Sequence, residues 1–288
     1  MRTIISLPVR CLPFLIALAA LTAAPAYTPT RAELAQMRGK LADLDHTLSQ
    51  LRVRRADDAL VADVEIYRKA AAYILRFPSE FYTAAYAKNT LAALDTGLVR
   101  GKELLAGAPS WPARKGRLAR AYRSRVDGSV QPYGMAIPDS YDAAPPTRLD
   151  VVLHGRGNTL NEVSFLAAHD SSKLIPREQN YLQLDVFGRG NNAYRWSGET
   201  DVFEAIDSVR RRYKIDPDRI VLRGFSMGGA GAWHIGLHYP ADWAAFEAGA
   251  GFTETKHYAH RENLPPYQDA TLHIYDAVDY ALNAFDVP

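Results

Sequence analysis

Apolar residues step by three and four through the first third of the chain, at Leu34, Met37, Leu41, Leu44, Leu48 and Leu51, then at Leu60, Val64, Tyr67, Ala71 and Ile74. That spacing puts each set on one stripe of an α-helix. Ser79 and Glu80 mark the expected start of a third helix running toward Gly107. Three helices with short joints predict a bundle or hairpin over residues 27–112, either packed as a core or serving as a lid. Beyond the joint Ala108-Pro109-Ser110-Trp111-Pro112 the pattern changes to short apolar runs. Residues 118–126 and 130–137 read as two strands around Asp127-Gly128, a hairpin signal. Further strands are expected at 148–153, 181–186, 220–222 and 243–252. An amphipathic crossover helix carries Val202, Phe203, Ile206, Val209 and Tyr213, and a last helix spans about residues 272–285. Strands alternating with helices predict an α/β domain over residues 113–288 with a mostly parallel sheet.

The first residues belong to neither pattern. Arg2 and Arg10 precede an apolar run over residues 11–21 and then Ala24-Pro25-Ala26, the layout of a signal peptide cleaved after Ala26. The run is too short for a membrane span, so the expectation is a secreted or periplasmic protein free of the membrane after cleavage of residues 1–26. Cleavage removes Cys11, the single cysteine, and two arginines, leaving as many basic as acidic residues. A near-neutral chain gives no electrostatic reason to bind nucleic acid, and without cysteines its stability must come from packing. With 48% hydrophobic and 23% charged residues over 288 positions, a sizeable core is expected.

The candidate chemistry centres on Gly224-Phe225-Ser226-Met227-Gly228, where an apolar strand runs into a helix rich in small residues that stops before Pro240. At such a turn the serine hydroxyl projects from a strained backbone, and Gly224 and Gly228 leave room for it. The following helix aims its unpaired N–H groups and positive end at a developing oxyanion. Ser226 is therefore the candidate nucleophile, against the alternative of a glycine-rich packing turn. Residues 148–153 end in His154-Gly155-Arg156-Gly157, the place for a second oxyanion donor. Met227 N–H supplies the first, and Arg156 N–H or its neighbour Gly155 the second; His154 reads as structural. After the fourth strand, Arg189 or Arg195 suits a substrate carboxylate and Tyr194 or Trp196 a ring, unless these residues brace the loop and pair with Glu199 or Asp201.

These segments, together with Tyr122-Arg123-Ser124 and the run from Gly128 to Gly134 and with Phe187-Gly188-Arg189-Gly190, resemble the α/β-hydrolase superfamily and its prolyl oligopeptidase-like and secreted-esterase branch over residues 117–288. The resemblance implies a triad in the order serine, acid, histidine. The residues after Ser226 hold an elbow helix, a sixth strand and a helix, but not the further strand–helix–strand unit of about 30 residues that would carry the acid and histidine. The chain is therefore expected to be truncated at its C-terminus and inactive in this form. His257, His260 or His273, with Glu254, Asp269 or Asp276, is the alternative source of a base. No metal or cofactor is expected: His257 and His260 lack further ligands, and the i,i+4 pair His234 and His238 lacks the intervening glutamate of a zinc-protease helix.

The reading is a secreted serine hydrolase that cleaves an ester, or less favourably a peptide, in a small-molecule or peptide substrate through an acyl-enzyme on Ser226. A helical N-terminal region, rather than a propeller, favours the esterase. The alternative is a non-catalytic exported binding or structural module of the same fold.

Overall fold

The computed structural model describes residues 27–261 and 263–287, so the signal-peptide expectation for residues 1–26 lies outside the described residues. Three long helices come first: α1 (Arg31–Val53), α2 (Asp58–Arg76) and α3 (Ala84–Leu105). Thr30 starts α1 with a capping box, accepting from Glu33 N–H at 3.2 Å while the Glu33 carboxylate accepts from Thr30 N–H at 2.7 Å, so two of the otherwise unpaired donors are satisfied. Asp57 caps α2 by accepting from Leu60 N–H. The α3 start differs from expectation: Pro78–Glu80 form a 3-10 turn and the helix begins only at Ala84. Pro78 at the first position suits a tight turn, and Thr83 in extended conformation resets the direction. Met37, Leu44, Leu48 and Leu51 of the α1 seam are buried.

Six strands follow: β1 (Gly116–Arg123), β2 (Val130–Ile137), β3 (Thr147–Leu153), β4 (Leu182–Val186), β5 (Ile215–Phe225) and β6 (Ala245–Gly249), in the order β1-β2-β4-β3-β5-β6. β4, β3, β5 and β6 pair in parallel, and β2 pairs antiparallel with both β1 and β4. Crossover helices α4 (Glu162–His169), α5 (Ser197–Arg210) and α6 (Met227–His238) join the parallel strands. The fold is thus the expected one, a mostly parallel α/β sheet flanked by helices and preceded by a helical region. The hairpin is looser than Asp127-Gly128 predicts: Ser124 N–H bonds Ser129 carbonyl at 2.8 Å, leaving a longer loop with Gly128 at φ 71°. After β6 come two short helices, α7 (Thr255–Tyr258) and α8 (Pro266–Leu272), and then 3-10 turns over Ala277–Asp286, where one regular helix was expected.

One core lies between the sheet and α5 and α6, built from Leu149, Val151, Leu153, Leu184, Val202, Val209, Leu222 and Ile235 among others. The second joins α1, α2, α3 and α4 to Ala119, Ala121 and Val130. Helical region and sheet therefore share a core. They also share the outer edge of β1. Ala121 N–H donates to Asp63 of α2 at 2.8 Å and Ala119 N–H to Asp170 at 2.9 Å, while Arg100 of α3 donates to Ala119 carbonyl at 2.9 Å. Side chains thus satisfy an edge that would otherwise pair with another strand.

Candidate active site

Register assembles the site. Leu153 at the end of β3 lies beside Val186 of β4 on one side and Gly224 of β5 on the other. The loops after these three strands therefore emerge together at the carboxyl edge. The connection after β3 leads to one side of the sheet and that after β5 to the other, and such a divergence opens a crevice between the two strands.

Ser226 stands at this point, exposed, between β5 and α6. Its backbone, φ 56° and ψ −119°, lies in a region costly to any residue with a Cβ. The glycines around it are obligatory for space. A Cβ on Gly224 would sit 2.0 Å from Gly228 carbonyl oxygen, and one on Gly228 would sit 2.0 Å from that of Leu153. The turn is held further by Ser226 N–H donating to Gly249 carbonyl at 2.8 Å. Met227, the first residue of α6, is buried, so the helix amino end faces the turn.

Gly155 lies against the same turn: a Cβ there would come within 3.4 Å of Phe225 carbonyl oxygen and 3.7 Å of Ser226 Cβ. Arg156, next along, is exposed. His154 holds this loop in place, with Nε2 2.9 Å from Phe187 carbonyl and Nδ1 2.8 Å from that of Gly155. Asn191 ties the loop to its neighbour by donating to Gly157 carbonyl at 2.8 Å and accepting from Gly157 N–H at 3.1 Å.

Two expected substrate contacts are corrected. Tyr194 is fully buried; its hydroxyl accepts from His154 N–H at 2.7 Å and donates to Val186 carbonyl at 3.0 Å, so it offers no face to a ligand and braces the crevice from beneath. Arg189 directs its guanidinium at Asp127 (2.6 Å), Asp201 (3.0 Å) and the Ser124 hydroxyl (2.9 Å), which leaves it committed inside the protein rather than free for a carboxylate. Burial pushes Asp201 up to about 6 in spite of that pair. Arg195 is likewise engaged, donating to Thr255 hydroxyl at 2.7 Å and lying over the rings of Phe252 and Tyr275. Trp196 differs from these three. It is 67% exposed, and its backbone, φ 53° and ψ −124°, nearly repeats that of Ser226 at the start of the preceding crossover helix.

Among the described residues the Ser226 hydroxyl has no hydrogen-bonded histidine. Glu254 accepts from His257 N–H at 2.8 Å and lies 2.5 Å from its Nδ1, on the surface, while His273 pairs with Asp279 at 2.6 Å. His260 enters no side-chain hydrogen bond among those residues and sits at φ 50°. Two of the three alternative bases, His257 and His273, are thus occupied with their own neighbours. Bracing was the alternative the sequence offered for Tyr194, but no local signal names its partners, which lie at the ends of two strands.

A cleft of about 720 Å³ lies at the opposite end of the sheet, lined by Arg117, Asp139, Asp170 and Lys173 among others. A smaller one of about 370 Å³ opens at the carboxyl edge, between Lys69 and Tyr73 of α2 and the loops bearing Leu160, Phe187 and Asn191. Position decides between them, since ligands of open α/β sheets bind at the carboxyl ends of the strands.

No protein-family model matches the chain, and no curated protein matches it. Among solved structures it is similar to fluorophosphonate-binding serine hydrolase F of Staphylococcus aureus (16% identity, TM-score 0.44, 60% of this chain and 76% of that one). It is similar to an S-formylglutathione hydrolase from Agrobacterium tumefaciens (19%, TM-score 0.45, 59% and 72%) and to a ferulic acid esterase from Anaeromyces mucronatus (18%, TM-score 0.37, 48% and 59%). These are partial overlaps, and the fold class rests on the strand order and crossovers described above.

Proposed function

We propose that the protein is an exported serine hydrolase that cleaves an ester by way of an acyl-enzyme on Ser226. The carrying observation is the backbone of Ser226, held at positive φ between β5 and α6 with the Gly155 loop packed against it. In this reading the hydroxyl attacks the carbonyl carbon, and the negative oxygen is held by Met227 N–H and by Arg156 or Gly155 N–H. A histidine takes the Ser226 proton as the hydroxyl attacks, passes it to the leaving group, and then takes a proton from the water that releases the acid. Trp196 and the cleft beside α2 receive the acyl or leaving group, which makes the helical region a wall of the binding site.

The absence of a histidine hydrogen-bonded to Ser226 among the described residues supports a second reading, a non-catalytic binding module that keeps the turn without the chemistry. A fluorophosphonate probe separates the two, because it labels only an activated serine. Under the hydrolase reading, the protein expressed from its natural gene is labelled on the peptide containing Ser226, and Ser226→Ala abolishes the label. A folded protein that resists the probe establishes the binding module instead.

A further inference from the structure

α5 and α6 meet at a cluster that the hydrolase reading leaves unused. Glu199 in the first turn of α5 faces His234 and His238, one helical turn apart on α6. A ring nitrogen of each histidine and a Glu199 carboxylate oxygen all lie within 4.8 Å of one another. From sequence the histidine pair lacked a third ligand; the fold supplies it from a separate helix.

The hydrogen bonding at His234 is the decisive detail. The ring is 1% exposed, and Nε2 lies 3.1 Å from Ala193 carbonyl. A neutral ring that donates there has a bare lone pair at Nδ1, and Nδ1 is sealed from solvent without a hydrogen-bond partner, 3.7 Å from Glu199 Oε2. Two acceptors thus face each other across a buried gap. The other neutral tautomer only moves the conflict to Ala193. A proton shared with Glu199 would relieve it only at the cost of a buried imidazolium. His238 Nε2 is also sealed and unpartnered. Glu199 is oriented by Tyr239, whose hydroxyl donates to Oε1 at 2.6 Å. The rings of Tyr275 and Tyr280 wall the cluster at 5.2 Å from His234 and 4.1 Å from His238.

We propose that Glu199, His234 and His238 bind a divalent transition-metal ion, zinc by preference. Two imidazoles and one carboxylate form a set suited to Zn²⁺. In a tetrahedral site with bonds of about 2.0–2.1 Å, ligand atoms lie about 3.3–3.4 Å apart; His234 Nδ1 and Glu199 Oε2 are already at 3.7 Å, and side-chain rotation must close the rest of the 4.8 Å cluster. A carbonyl on the far nitrogen of a ligating histidine is the usual means of fixing its orientation, and Ala193 provides it. The ion sits between about 12 and 18 Å along α6 from Ser226, at 1.5 Å per residue, too far to touch a substrate there. It pins the helix that carries the elbow to the start of α5, and the proposal stands whether or not Ser226 is a nucleophile.

The test is titration of the chelator-stripped, tag-free protein with Co²⁺, read by visible absorption and by thermal melting. The expected result is one equivalent bound with the intense absorption of a tetrahedral site, displaced by Zn²⁺, and a metal-dependent rise in Tm. Glu199→Gln and His238→Gln, each checked for folding by circular dichroism, should weaken binding by more than the roughly 10–100-fold of an outer-shell change. His273→Gln, in the separate cluster of exposed His273 and Asp279 with buried Asp276, should leave it intact. No stoichiometric binding by the parent protein, or binding that survives both ligand substitutions and falls with His273→Gln, overturns the proposal.

Discussion

Asp63 of α2 and Arg120 of β1 form a fully buried ion pair, 2.9 Å apart with side-chain exposures of 0% and 2%. The carboxylate also accepts from Arg212 at 3.1 Å and from Trp111 Nε1 at 3.0 Å, so one acidic group joins the helical region, the edge strand and the segment after α5. Removing one partner of such a pair strands the other charge. Asp63→Ala is expected to destabilise the fold by about 3–5 kcal/mol, measured as a shift in the urea midpoint.

The same group sets an acid limit. Burial alone would raise the Asp63 pKa, but Arg120, Arg212 and Arg100 hold it below the ordinary carboxylate value. A lowered folded pKa gives stability that is complete above the unfolded value of about 3.9 and is lost as pH falls below it. Urea midpoints of the parent should therefore drop between about pH 4 and the lowered folded value. An Asp63→Asn variant that retains the whole of that slope would assign it to other carboxylates.

Tyr194→Phe removes the hydroxyl that serves both His154 N–H and Val186 carbonyl. Two buried groups lose their partner, at a cost of about 1–3 kcal/mol each where water cannot replace it. Because the loop so released carries Gly155 and Arg156, labelling of Ser226 by a fluorophosphonate should slow more than labelling of a Trp196→Phe variant. Equal rates in the two would mean that the brace does not reach the reacting turn.

Gly228→Ala places a methyl 2.0 Å from Leu153 carbonyl oxygen. Neither the strand nor the helix start can retreat without breaking the register, so the expected loss exceeds about 4 kcal/mol. Circular dichroism and soluble yield are the measurements, and a native-like melt would show that the turn has slack the contacts deny it.

The elbow was legible because its demands are local: one serine, two glycines and the strand and helix they join stand within a few residues of each other. The helices of the N-terminal region were legible by periodicity, and their ends less so, since Pro78 redirected the chain before α3 could start. The hairpin length was misjudged because Asp127 and Gly128 fit several turns, and Asp127 is committed to Arg189 by an ion pair that only the fold creates. Tyr194, Arg189 and Glu199 fall in the same class. Each takes its partners from other loops, strands or helices, which no local pattern announces.

The side chains that close the outer edge of β1 have a practical consequence for anyone cutting this chain. The proline-rich joint near residue 110 invites a shorter version that begins there, with the sheet alone. Such a piece would lose Asp63 and Arg100 together, leaving the Ala121 amide and the Ala119 carbonyl bare along a strand where only Asp170 still covers Ala119 N–H. A strand of that kind recruits others, so the trimmed protein would polymerise through its edge rather than persist as a minimal domain. The smallest portable unit therefore starts at the capping box of Thr30, and a graft onto another sheet must bring its own acids and arginines to finish the border.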